Sequence, residues 1–105
     1  MRLLVNMSDK QCQVSKAATE KLDGEKRQKR NRDGLPMWTV QMIVLDSTGA
    51  EVINVTTAGE KPDVTVGQPV TPVELEALPW NTNGKHGVAY RAVELKKLPA
   101  PKNAA

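Results

Sequence analysis

Apolar residues recur in this chain with a period of two, and no stretch shows helical periodicity, which points to half-buried strands and against amphipathic helices. The alternation is clearest over residues 37–45, where Trp38, Val40, Met42 and Val44 share one face and Thr39 and Gln41 the other. Asp46-Ser47-Thr48-Gly49 is a turn, and residues 50–57 return with Ile53 and Val55 inward and Asn54 and Thr56 outward, so the two runs read as a hairpin. Upstream, residues 11–18 form a first strand with Cys12 and Val14 on one face and Gln11, Gln13 and Ser15 on the other. A long polar connection over about 20–36, expected as a mobile basic loop, separates it from the second. Gly59, Pro62, Gly67 and Pro69 break residues 58–69 too often for a helix. They lead to a fourth strand over 70–78, which Pro72 starts at an edge or a bulge. Residues 80–87 are turn-rich, with Asn83-Gly84 a tight turn, and residues 88–96 make a fifth strand.

A chain of 105 residues suits one domain with one small core, here residues 1–98, with residues 99–105 expected as a flexible tail. Leu3, Leu4 and Val5 either extend the first strand or pair across a dimer. The opening apolar run is too short for a signal peptide, and no apolar segment approaches the ~20 residues of a membrane span, so the expected location is cytoplasmic and no membrane partner is expected. Cys12, the only cysteine, excludes an internal disulfide and a cysteine zinc site and reads as a buried thiol.

Charge is distributed unevenly. Up to Pro36 there are 9 Lys/Arg against 5 Asp/Glu, and from Met37 onward 6 against 7, so the net +3 is a local excess. Lys26, Arg27, Lys29, Arg30 and Arg32 place 5 cations in 7 positions, a docking point for a polyanion unless it is a loop kept charged for solubility. Five short strands with a long first connection and a break between the third and fourth fit an all-β, five-stranded Greek-key barrel of the OB type. In that fold the face of strands 2 and 3 and the loops joining strands 1 to 2 and 4 to 5 form the ligand surface. The basic run falls in the first of these loops, Lys85 and His86 in the second.

The blocks Asp33-Gly34-Leu35-Pro36-Met37-Trp38-Thr39-Val40-Gln41, Gly49-Ala50-Glu51-Val52, Val66-Gly67-Gln68-Pro69-Val70 and Gly87-Val88-Ala89-Tyr90-Arg91-Ala92 resemble a group of small actinobacterial proteins. These are encoded on conjugative plasmids, integrative elements and phages and are often described as regulatory. The layout also resembles the single-stranded-DNA-binding OB domains of mobile elements, including the gene V type of filamentous phages, over about residues 33–95. The resemblance implies a homodimeric barrel that coats exposed DNA strands with little sequence preference, alongside mobile-element replication or transfer proteins. Replication-type binders of this fold end in an acidic tail, whereas here no acid follows Glu94.

Single-strand binding needs cations for phosphates and π-faces for unstacked bases. The basic run, in a loop expected to be mobile without DNA and ordered with it, supplies the first, with Lys85 and Arg91 facing it across a groove, and five phosphate contacts give a salt slope of about −3.5. Aromatic residues are few. Trp38 shares phase with Val40 and Met42 and reads as packing more than stacking, while for Trp80 stacking on a base and packing at the rim are equal readings. Tyr90 alternates with Val88 and Ala92, giving a mostly buried ring with an exposed hydroxyl, and Arg91 then faces outward. Thr39, Gln41, Asn54 and Thr56 form the polar face that supports a nucleic-acid backbone, and His86 contributes at most a phosphate or base contact.

No enzyme is expected. A single histidine leaves no His-based triad, no nucleotide-cradling glycine loop is present, and Glu74 and Glu76 read as one solvated strand face; no cofactor or metal is called for. Two other functions stay open beside single-strand binding. One is duplex binding by a transcriptional regulator of a mobile element, and the other is an OB module that docks on a protein partner.

Overall fold

In the computed structural model, which describes residues 3–6 and 9–98, the regular elements are all β-strands. They are β1 (Leu3–Leu4), β2 (Gln11–Glu20), β3 (Met37–Asp46), β4 (Gly49–Ala58), β5 (Pro69–Val73), β6 (Glu76–Thr82), β7 (Lys85–Arg91) and β8 (Glu94–Lys97). The tail at 99–105, and Arg2 and Met7, lie outside the described residues. The strands form one mixed sheet in the order β1-β6-β7-β4-β3-β2-β5-β8. No helix among the described residues is long and apolar enough to cross a membrane.

The hairpin of β3 and β4 is the spine of the sheet, pairing antiparallel without a break from Met37↔Ala58 to Asp46↔Gly49. Alternation places Val40, Met42 and Val44 of β3 and Ile53 and Val55 of β4 in the core, beside Cys12, Val14 and Ala18 of β2. Burial pushes the Cys12 thiol pKa up, as expected for a packed, unreactive cysteine. At the hairpin tip the Asp46 carboxylate accepts from the Thr48 N–H (2.8 Å), the Thr48 hydroxyl (2.6 Å) and Lys10 Nζ (3.0 Å). Those bonds, Thr48 first, hold its pKa well below the usual carboxylate range. β2 pairs with β3 through two irregularities, between Val14 and Lys16 and between Lys16 and Thr19, and runs on to Glu20.

The fourth and fifth expected strands are each divided in two. β5 and β6 are separated by Glu74, at φ 51°, and Leu75; β7 and β8 are separated by Ala92 and Val93. Val73↔Glu94 in the β5–β8 pair and Glu76↔Arg91 in the β6–β7 pair keep one register, and Val93 N–H donates to Val73 O across the gap (2.9 Å). The four segments are therefore a single bent hairpin. Residues 80–87, expected as an irregular connection, are mostly strand. Only Asn83 (φ 53°) and Gly84 (φ 78°) turn, the left-handed pair that a two-residue type I′ hairpin requires.

Two short seams join this hairpin to the rest. β5 meets β2 at Cys12↔Val70 and Gln13↔Pro69, and β7 runs parallel to β4 at Val55↔Tyr90 and Thr56↔Arg91, extended by Ala92 N–H to Thr56 O (3.0 Å). Pro72 lies beyond the last rung with β2 and opposite Leu95 of β8, so β5 is unpaired there on its β2 side only. The left-handed backbone at Glu74 resets the alternation, so Leu75 and Glu76 are both buried in succession. This corrects the expectation that Glu74 and Glu76 share a solvated face: Glu74 is exposed, while Glu76 is 2% exposed and ion-paired with Arg91.

Candidate nucleic-acid interface

Because β4 and β7 pair only near Val55 and Thr56, a groove of about 310 Å³ opens between the rest of β4 and the β6–β7 arm. It brings together five of the expected site residues, Thr39, Asn54, Thr56, Trp80 and Tyr90. Thr39 and Thr56 lie directly opposite one another on β3 and β4, as do Gln41 and Asn54. Gln41 sits beside the groove without lining it, and its side-chain carbonyl accepts from Ser15 Oγ (3.1 Å). Lys21, Val52 and Val88 also line the groove. None was singled out from sequence, although Val52 is in phase with Asn54 and Thr56 and so falls on the same outward face.

Trp80 faces Gly87 across the β6–β7 ladder, and a Cβ on that glycine would lie 2.7 Å from the indole ring. The ring thus packs flat on bare backbone, which is why glycine is needed there, and it is still 46% exposed. An aromatic plane held at a groove wall with much of its surface in water is suited to stacking. Tyr90 is half-buried and packs against the core.

Other expected residues fall elsewhere. Trp38 is half-buried, its indole N–H donates to Gly59 O (2.9 Å), and Lys61 Nζ lies 5.8 Å from its ring centroid, so it packs against the 59–61 segment and stays out of the groove. Arg91 gives its Nε–H to the buried Glu76 carboxylate, so its charge is already engaged. Lys85 and His86 are exposed at the arm's tip, beyond the groove lining.

The basic connection is not an irregular loop but a small hydrogen-bonded meander. Lys29 N–H donates to Lys21 O (2.6 Å) and Met37 N–H to Lys29 O (2.8 Å), so residues 27–30 run between the end of β2 and the approach to β3. Two turns of the same construction close it. In the first, Asp23 Oδ1 accepts from the N–H groups of Glu25 and Arg27 (2.7 and 3.0 Å); in the second, Asn31 Oδ1 accepts from those of Asp33 and Leu35 (2.9 and 3.0 Å). Lys26 (φ 63°) and Gly34 (φ 81°) occupy the corresponding left-handed positions.

Against known proteins, the chain matches no family model, no curated protein and no solved structure.

All five cations of the run are exposed, but they are not equivalent. Arg27 is held by Glu25 (2.7 Å) and lies 3.8 Å from Asp23, and Arg30 caps the second turn by donating to Gly34 O (2.7 Å). Lys26, Lys29 and Arg32 have no side-chain partner among the described residues and are free to meet an anion. Lys21 lies where the meander joins the groove, its Nζ 3.0 Å from Thr56 Oγ1, and burial followed by the charge of Lys29 pulls its pKa down. Among the described residues no group of His, Cys, Asp and Glu is placed to hold a metal.

Proposed function

We propose that this chain is a five-stranded OB-type barrel that binds single-stranded DNA with little sequence preference, in the replication or transfer of a mobile element. Counting the bent hairpin as two strands supports the barrel: β2, β3 and β4 are then followed by a fourth and fifth strand, the fifth parallel to the third and the fourth antiparallel to the first. The observation that carries the function is the groove itself. A polar floor from Thr39, Asn54 and Thr56, an exposed indole on one wall and a cationic meander at one end supply hydrogen bonds, stacking and charge together. None of these groups is arranged to read a duplex groove by a helix, and the mobile-element setting rests on the sequence resemblance.

Fluorescence anisotropy with a labelled oligo-dT strand and a matched-length duplex, at two salt concentrations, tests this reading. Tighter binding to the single strand, falling steeply with salt, is the expected result. Equal or tighter duplex binding would turn the function toward a duplex-binding regulator, and binding to neither would turn it toward a protein partner.

A further inference from the structure

On the single-strand reading, we propose that Lys21 and Lys29 form a phosphodiester-binding pair where the basic meander meets the groove, with Lys21 as its fixed member. Lys21 lies just past the end of β2, and its backbone is clamped on both sides: its N–H donates to Met37 O (3.1 Å) and its C=O accepts from Lys29 N–H (2.6 Å). Its side chain lines the groove and rests on the hydroxyl of Thr56, a buried residue. Neither Lys21 nor Lys29 forms an ion pair among the described residues. Lys21 and Lys29 are thus neighbours across a backbone hydrogen bond, the charge of Lys29 is felt at Lys21, and the half-buried Lys21 ammonium has only a hydroxyl as partner among the described residues.

That arrangement is unfavourable while empty and is relieved by an anion between the two charges. A phosphodiester suits two neighbouring lysines of which one is fixed on a hydroxyl. Its two free oxygens can accept from both ammonium groups, and the next base then continues along the groove toward Trp80. Thr56 Oγ1 accepts from Lys21 and retains its own proton to donate. Meander and groove become one binding surface through this pair, and a strand seated there enters the groove in a fixed register.

Lys21→Gln and Lys21→Arg, measured beside the unaltered protein with oligo-dT at a series of salt concentrations, test the assignment. Loss of the charge should weaken binding roughly tenfold at low salt and make the logarithmic salt slope less steep by about 0.7, one phosphate's share, whereas Lys21→Arg should keep the slope. An unchanged slope in Lys21→Gln, with binding otherwise intact, overturns the phosphate pair and leaves the single-strand reading standing. No binding by the unaltered protein overturns both. If Lys21→Gln lowers the melting temperature, the lysines of the unaltered protein can be reductively methylated with a ¹³C label, which keeps their charge. The Lys21 resonance, identified by its absence in Lys21→Arg, should then move on DNA addition and titrate at higher pH in the complex. A Lys21 signal that stays fixed while other lysine signals move would overturn the assignment.

Discussion

Trp80 and Gly87 work as one unit. The indole has a flat bed only because position 87 lacks a Cβ, so Gly87→Ala should displace the ring without touching any cation. Trp80→Ala should lower single-strand affinity by about 1–3 kcal/mol, the range for one stacked base, and leave the melting temperature nearly unchanged, since the ring is 46% exposed. Gly87→Ala should reproduce part of that loss together with a shift in tryptophan emission; full affinity in both variants would confine the ring to rim packing. Arg91 also holds a buried carboxylate. Removing it as Arg91→Ala takes one partner from the Glu76 carboxylate, which is 2% exposed, and a cost of about 2 kcal/mol is expected in urea unfolding, the open side of the arginine reducing the usual figure for a buried pair. Adding Glu76→Gln to Arg91→Ala should recover much of it, a coupling that a double-mutant cycle reads directly. Additive losses would mean that Glu76 is held by other groups.

At the scale of elements, the basic meander separates into cations that build it and cations that face solvent. Replacing Lys26, Lys29 and Arg32 by Gln should make the salt slope less steep by up to about 2 with little change in melting temperature, whereas replacing Arg27 and Arg30 should disturb the turns they close more than the slope. Equal slopes for the two sets would erase the distinction. Because Lys26 sits where the twin turn has Gly34, Lys26→Gly should raise stability by up to about 1 kcal/mol in thermal or urea melts, even as it removes a charge. The twin turns were partly within reach of the sequence, since Asp23 and Asn31 are Asx-turn residues at matching positions, but only the second turn has glycine at its left-handed position, and Lys26 carries no such signal. The β3–β4 hairpin was legible because burial alternates along β3 and a two-residue turn closes it, although in β4 Val55, Thr56 and Thr57 are buried in succession. The break at Glu74 was not. A left-handed glutamate carries no residue-type signal, and once it resets the phase, alternation misplaces Glu76 and hides the ion pair that engages Arg91. Gly87 was hidden for a similar reason, because its role depends on a ring seven positions away and across a ladder.

Across the whole molecule, the meander of β2, β3 and β4 and the bent hairpin of β5 to β8 are each stitched by long ladders, yet they meet at two short seams, of two rungs each, extended by Val14 bonded to Gly67 and Gln68 on one side and by Ala92 bonded to Thr56 on the other. Stability should therefore be uneven. Amides within the β3–β4 ladder, such as those of Val40 and Met42, lie at fully buried positions and should exchange with solvent only on global unfolding. The Ala92 amide, which crosses the β4–β7 seam to Thr56 O, depends on contacts that can be lost while the β3–β4 ladder stays closed, so it should exchange through a lower-energy opening. The groove spans that same seam, with β4 on one wall and the β6–β7 arm on the other. A strand that bridges both walls holds them together, so oligo-dT should raise protection at Ala92 more than at Val40 or Met42 in native-state hydrogen exchange. If Ala92 already exchanges only with global unfolding, the seam is no weaker than the spine and the arm is a rigid part of the barrel. If it opens early but gains nothing from DNA, the strand engages one wall alone, and the indole of Trp80 and the polar face of β4 do not act on the same ligand.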